Sequence, residues 1–305
     1  MHLLESLHRN VRTVAMPSAM IVGALLCRPV TALEAWSGHT ITPGLIFLML
    51  FVTFCRVSLR QMRFSMLHVW LLAAQAVLCA AVYFALRPFD AVVAQGALVC
   101  ALAPVAMAAV VIAGMLGADV TTVAAYSLLS NLAVALAAPG VLTFAGTGVC
   151  TFAQILSRVA PLLLVPFAAA QLCRLVAPRF AGWVGEHGQI SFYLWLVSLV
   201  IIIGRTTAFI IDLHDVSRSV EAWLALVALA ICLVQFKAGR MLGRRYGDPP
   251  AGGQSLGQKN TVLAVWMAQS FLDPISSIAP TAYIVWQNFV NSYQIYKKDR
   301  ETAGE

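Results

Sequence analysis

Apolar residues gather in ten runs, at 13–30, 42–57, 66–86, 91–116, 120–143, 151–176, 189–210, 219–243, 254–272 and 275–296, with short polar stretches between them. Each run reaches, or nearly reaches, the roughly 20 residues that a helix needs to cross about 30 Å of hydrocarbon. The runs are continuous rather than alternating, which excludes a transmembrane barrel. The pattern predicts an all-α membrane protein with ten transmembrane helices. Two runs are interrupted. The fourth, AVVAQGALVCALAPVAMAAVVIAGMLG, holds Pro104 at its middle, where proline removes a backbone donor and frees a carbonyl one turn earlier. The ninth follows AGGQSLGQKNT, whose Gly252, Gly253 and Gly257 are expected to loosen the backbone just before a cation, Lys259.

Composition supports lipid as the solvent: 60% of the 305 residues are hydrophobic and 11% are charged, against about 25% charged in soluble domains. Charge then orients the helices. With the N-terminus inside, Arg9, Arg12, Arg56, Arg60, Arg63, Arg174, Arg179, Lys237, Arg240, Arg244, Arg245, Lys297, Lys298 and Arg300 face the cytoplasm, 14 of the 20 basic residues. Arg28, Arg87, Arg205 and Arg218 face the other side, and Arg158 and Lys259 stay within or at the edge of spans. This asymmetry is the positive-inside pattern, and it predicts a multi-pass protein of the cell inner membrane with both termini cytoplasmic. It also explains the net charge of +7 without a nucleic-acid partner. Arg9 and Arg12 before an apolar run, with VTA at 30–32, leave a cleaved leader open, although the topology uses that run as its first helix.

Five helices end near Pro139 and five begin near Thr151, which divides the chain into residues 1–145 and 146–305. Five is odd, so the second set enters the membrane inverted. Interruptions at corresponding places in two inverted repeats point to a transporter's binding site. The plainer alternative is a proline kink in one helix and a cytoplasmic loop running into another.

The chemistry of the remaining residues excludes more than it assigns. The seven cysteines, Cys27, Cys55, Cys79, Cys100, Cys150, Cys173 and Cys232, form no C-x-x-C pair and no zinc spacing, so they read as small core hydrophobes. No nucleotide loop, nucleophile elbow, H-E-x-x-H or paired-carboxylate pattern occurs, and no enzyme activity is expected. None of the 13 acidic residues falls in the middle of a predicted span. Asp119 and Asp273 read as caps or loop charges, Arg158 as a snorkelling residue, Asn131 as an interhelical hydrogen-bonding group and His68 as a core or interfacial histidine.

Four stretches resemble the bile acid:sodium symporter family: Ser255-Leu256-Gly257-Gln258-Lys259-Asn260-Thr261, Val285-Trp286-Gln287-Asn288, the segment Pro104 to Asp119, and Ala74-Gln75. The resemblance implies a panel of helices 1, 2, 6 and 7 and a core of helices 3–5 and 8–10. In the core, the broken helices 4 and 9 cross at mid-membrane. It also implies uptake of organic anions, bile acids or small carboxylates, with sodium by alternating access. The family's sodium ligands are largely replaced. Ala109 and Val110 stand where serine and asparagine would, Val123 replaces one helix-5 hydroxyl while Ser127 keeps the other, Ser255 replaces the shared glutamate, and Lys259 replaces a glutamine. Gln75 alone still matches a second-site ligand.

A hard cation inside low dielectric normally needs a carboxylate. The expectation is therefore an organic-anion transporter without a bound cofactor or metal, not coupled to sodium, with a proton as the coupling ion left open. Lys259 replaces the bound cation, either as a fixed charge or as a proton-exchanging group, with snorkelling to the interface as the alternative. The expected site comprises Gln75, Pro104, Ala109, Val110, Ser127, Ser255, Gly257, Gln258, Lys259, Asn260 and Asn288. The partners are a small organic anion and the bilayer, and oligomeric state is left open. The competing readings are a proton-coupled carrier or facilitator of another solute, and a membrane receptor or enzyme.

Overall fold

The computed structural model describes residues 18–56, 64–106, 108–146, 151–187, 189–212 and 218–303. Fourteen helices occupy them. In chain order they are α1 (Ser18–Leu25), α2 (Cys27–Trp36), α3 (Ile41–Arg56), α4 (Met66–Leu86), α5 (Ala91–Leu102), α6 (Ala108–Met115), α7 (Val120–Ala145), α8 (Phe152–Val176), α9 (Pro178–Glu186), α10 (Gln189–Asp212), α11 (Arg218–Arg244), α12 (Pro249–Gly257), α13 (Thr261–Phe271) and α14 (Ile278–Ala303). A 3-10 turn, Pro274–Ser277, precedes α14. No strand occurs among the described residues beyond one isolated bridge.

Among these, α4, α7, α8 and α11 are long and apolar enough to cross a bilayer singly. The pair α1 and α2 makes a fifth candidate, bent by 75° at Leu26. The chain thus carries the helices of a membrane protein, and exposed apolar side chains such as Val77, Leu136, Phe144 and Leu175 lie on its outer surface, where lipid rather than water suits them. The other predicted runs fall short for visible reasons. The fourth and ninth each divide into two helices, and the end of α14 carries Lys297, Lys298 and Arg300. The run expected to end near Pro139 continues through that proline to Ala145. One helix was not among the runs: α9 begins with Pro178 at its first turn and sets Phe180 and Trp183 outward against buried Ala181 and Val184.

Aspartates start the helices that matter most. Asp90 accepts from the Val92 and Val93 N–H groups at 2.8 and 2.9 Å, and Asp119 accepts from Thr121 N at 2.9 Å. Asp248 accepts from Ala251 N at 2.9 Å and Asp273 from Ile275 N at 2.9 Å. Each satisfies donors that a helix start leaves free. The order long helix, broken pair, long helix occurs twice, as α4, α5/α6, α7 and as α11, α12/α13, α14. The two sets also bond at their caps: Asp119 N donates to Asp248 Oδ2 at 2.8 Å, and Asp273 N donates to Gln95 Oε1 at 3.0 Å.

The glycines before Lys259 correct one expectation. Gly252, Gly253 and Gly257 do not loosen the chain; all three lie inside α12. A Cβ on Gly252 would overlap the Gly239 carbonyl oxygen, and one on Gly257 would overlap the Phe236 ring. They are there because α12 runs against the backbone of α11, where no side chain fits.

Candidate functional site

Pro104 stops α5 two residues earlier, at Leu102. The residue before a proline is driven to extended geometry, and Ala103 adopts φ −48°, ψ 136°. In the second set, α12 ends at Gly257, Gln258 is extended at φ −88°, ψ 98°, and α13 begins at Thr261. The two breaks lie against each other. Val105 and Lys259 form an antiparallel bridge, with Ala106 N donating to Gln258 O at 3.0 Å and Asn260 N to Pro104 O at 2.7 Å. Each break therefore satisfies backbone groups that the other leaves free, as buried non-helical backbone requires.

Side chains cover the carbonyls that remain. Gln75 Nε2 donates to the carbonyls of Ala101, Leu102 and Ala103 at 3.2, 2.9 and 3.2 Å, while its Oε1 accepts from Tyr126 Oη at 3.1 Å. The same pairing recurs on the other side. Tyr283 Oη donates to Gly257 O at 2.8 Å and lies 3.3 Å from Gln235 Oε1, and Gln235 Nε2 reaches Cys100 O at 3.4 Å. Gln75, the residue expected to match a second-site ligand, here caps the end of α5 with its donor and acceptor both engaged.

Lys259 is 1% exposed, so it does not snorkel. Its backbone N–H donates to Gln287 Oε1 at 3.0 Å, but its Nζ has no hydrogen-bond partner among the described residues. The titratable groups that act on it are the Cys79 and Cys100 thiols, with no carboxylate among them. An ammonium buried without a partner is costly, and the arrangement can either attract an anion or exchange the proton. Helix termini add both signs here. The N-termini of α6 and α13 lie at the breaks, and so do the C-termini of α5 and α12, whose carbonyls Gln75, Gln235 and Tyr283 cover.

The breaks bring Gln75, Pro104, Gly257, Gln258, Lys259 and Asn260 together. Gln258 Oε1 accepts from Asn291 Nδ2 at 2.7 Å, and Asn260 caps α13 by accepting from Leu263 N at 3.2 Å. Ala109 is buried and Val110 half-buried in the first turn of α6, with no polar atom to offer an ion. Ser127 on α7 and Ser255 on α12 are buried, and neither Oγ has a partner among the described residues. Asn288 is half-buried and donates within its own helix, to Ile284 O at 2.8 Å, away from the breaks. Lys259 is held instead by Gln287, and the neighbouring Gln258 by Asn291, whose Oδ1 accepts from Gln254 Nε2 at 3.0 Å. The sequence signal of the α14 pair is Gln287 and Asn291 at i and i+4, on one face of that helix.

Other expectations need correction. Among the described residues Asn131 makes no interhelical bond; its Nδ2 donates one turn back to Ser127 O at 2.7 Å. Helix α2 extends to Trp36 and buries Glu34 to 1% exposure, beside Arg205. Arg158 is exposed, and His68 is buried with Nε2 3.0 Å from Thr122 O. Cys27, Cys55, Cys79, Cys100, Cys173 and Cys232 are free thiols, while Cys150 lies outside the described residues.

No protein-family model and no curated protein matches this chain. Its chemistry has to be read from its own geometry. Among the described residues, no group of three or more His, Cys, Asp or Glu side chains is placed to hold a metal ion.

Proposed function

We propose that this chain is a secondary transporter of an organic anion that works by alternating access, as in the bile acid:sodium symporter family it resembles. In this reading the ten-helix plan has two inverted five-helix repeats. The panel comprises α1/α2, α3, α8 and α10, and the core comprises α4–α7 with α11–α14. The repeated order of long helix, broken pair and long helix supports the repeats. The observation that carries the function is Lys259, buried and unpaired where the two breaks meet. A cation in low dielectric, with no carboxylate acting on it among the described residues, favours an anionic ligand and opposes a second cation. The substrate class is a monocarboxylate, bile-acid-like or small, and transport is independent of sodium.

The Lys259 ammonium can serve in two ways. A permanently charged Lys259 gives facilitated or electrogenic movement of the anion, while a proton-exchanging Lys259 gives uptake driven by a pH gradient. The test is uptake of cholate and benzoate into proteoliposomes, with sodium replaced by choline at constant ionic strength and with or without a pH gradient. Uptake is expected to persist in choline and to vanish in Lys259→Gln. A tenfold or greater loss of affinity in choline, about 1.4 kcal/mol, would restore sodium as the coupling ion. An organic cation carried while every carboxylate is refused would overturn the assignment.

A further inference from the structure

A second cation sits away from the breaks. Arg205 lies on α10, seven residues before Asp212 ends that helix, or roughly 10 Å of helical rise. Its neighbours show what this turn of the helix packs against. Gly204 is pressed against α1 and α2, where an added Cβ would stand 3.0 Å from Gly23 O and 3.0 Å from the Val30 side chain. Thr206 Oγ1 lies 3.4 Å from Thr281 Oγ1 on α14. The contacts of Arg205 itself are Glu34 on α2 and Thr42 on α3, and the next residue, Thr206, is the one that reaches α14 of the proposed core.

The guanidinium is only half used. Nη1 donates to Glu34 Oε1 at 3.2 Å and lies 3.4 Å from Thr42 Oγ1. Nε and Nη2 make no hydrogen bond among the described residues, and the side chain keeps 19% exposure. Those two N–H groups point the same way, in the fork that matches a carboxylate. Glu34 does not need them. Its carboxylate also accepts from Thr42 N at 3.2 Å, from Thr42 Oγ1, and from Ser37 Oγ at 3.5 Å.

We propose that Arg205 is a second recognition point for the transported anion, its Nε–Nη2 edge binding the ligand's carboxylate while Nη1 stays on Glu34. The inference rests on the anion-transport reading and extends it to a residue outside the breaks. Glu34 has a function in it as well. A lone arginine in a partly dry site would hold a carboxylate too firmly to release it, and the Glu34 charge weakens that hold.

The experiment is cholate and benzoate binding to the purified protein by titration calorimetry, with the uncharged methyl ester of each acid as control. Arg205→Gln is expected to raise the acid Kd tenfold or more and to leave the ester unchanged. Glu34→Gln is expected to tighten acid binding and slow uptake. Because Arg205→Gln strands the Glu34 carboxylate, the double variant Glu34→Gln with Arg205→Gln separates ligand contact from structure. Weak acid binding in the double variant supports the proposal. Recovery of wild-type affinity there would make Arg205 a purely structural partner and overturn it, as would an unchanged Kd in Arg205→Gln. If Lys259→Gln abolishes uptake while every Arg205 variant binds normally, this site falls and the transport reading stands. If wild-type protein binds neither acid, the transport reading fails and takes this site with it.

Discussion

Val105 and Lys259 pair as an antiparallel bridge, so the lysine is held by backbone, while among the described residues its Nζ has no hydrogen-bond partner. That separation of roles makes its energetics testable apart from function. An unsatisfied buried polar group costs about 1–3 kcal/mol, and Lys259→Met removes the charge while keeping most of the volume. The variant should melt higher than wild type in detergent and lose anion uptake. A lower melting point would mean that the ammonium has a stabilising partner in the folded protein.

Gln75 should behave as a cap. Gln75→Leu leaves the carbonyls of Ala101, Leu102 and Ala103 and the Tyr126 hydroxyl without their partner, and should cost about 2–3 kcal/mol. Tyr126→Phe removes a single bond of 3.1 Å and should cost about 1 kcal/mol. Thermal unfolding of both variants checks the order, and a reversed order would remove Gln75 from the end of α5.

The contact between α11 and α12 gives a sharper contrast. Gly252→Ala drives a methyl group into the Gly239 carbonyl, so the helices must separate and folded yield should collapse. Gly140→Ala on α7 meets nothing nearer than Phe152 Cε2 at 3.9 Å. It should be neutral or stabilising by about 0.5–1 kcal/mol, the helix penalty of glycine. Size-exclusion profiles and melting points of the pair decide the matter.

Asp119 predicts an acid-side effect in a loop outside the spans. Burial pushes its carboxyl up, but bonds from Thr122 and Thr121 outweigh that and hold it below the ordinary aspartate value. A carboxyl depressed in the folded state contributes stability above its unfolded value, about 3.9, and loses it as pH falls through the folded value. The difference in melting point between wild type and Asp119→Asn should therefore stay level above about pH 5 and shrink below about pH 4. A difference that grows on acidification would reverse the sign and the assignment.

Much of this was legible along the chain. Length and apolar continuity predict helices, Pro104 predicts where α5 stops, and aspartates before apolar runs predict caps such as Asp119 and Asp273. These are local matters, settled by backbone geometry and the nearest few residues. The bend at Leu26 has its cause in Pro29, which has no N–H for the Leu25 carbonyl four residues earlier, although the apolar run reads as one helix in the sequence. Gly252 and Gly257 looked like loosening residues because sequence reveals glycine's freedom but not the helix pressed against it.

Only the tertiary structure decided what the polar residues do. Gln75 has the right type to ligate an ion, and its commitment to the end of α5 depends on where α4 lies. Glu34 takes its partners, Thr42 and Arg205, only where α2, α3 and α10 meet. The residue types at the breaks were visible in order, but which carbonyl meets which donor was not. Composition and periodicity determined that this chain forms apolar helices and where their regular bonding fails. The pairing of Val105 with Lys259, and the lack of a carboxylate near that ammonium among the described residues, were set by packing between distant segments, because a buried polar group takes its character from whatever the fold brings within about 3 Å of it.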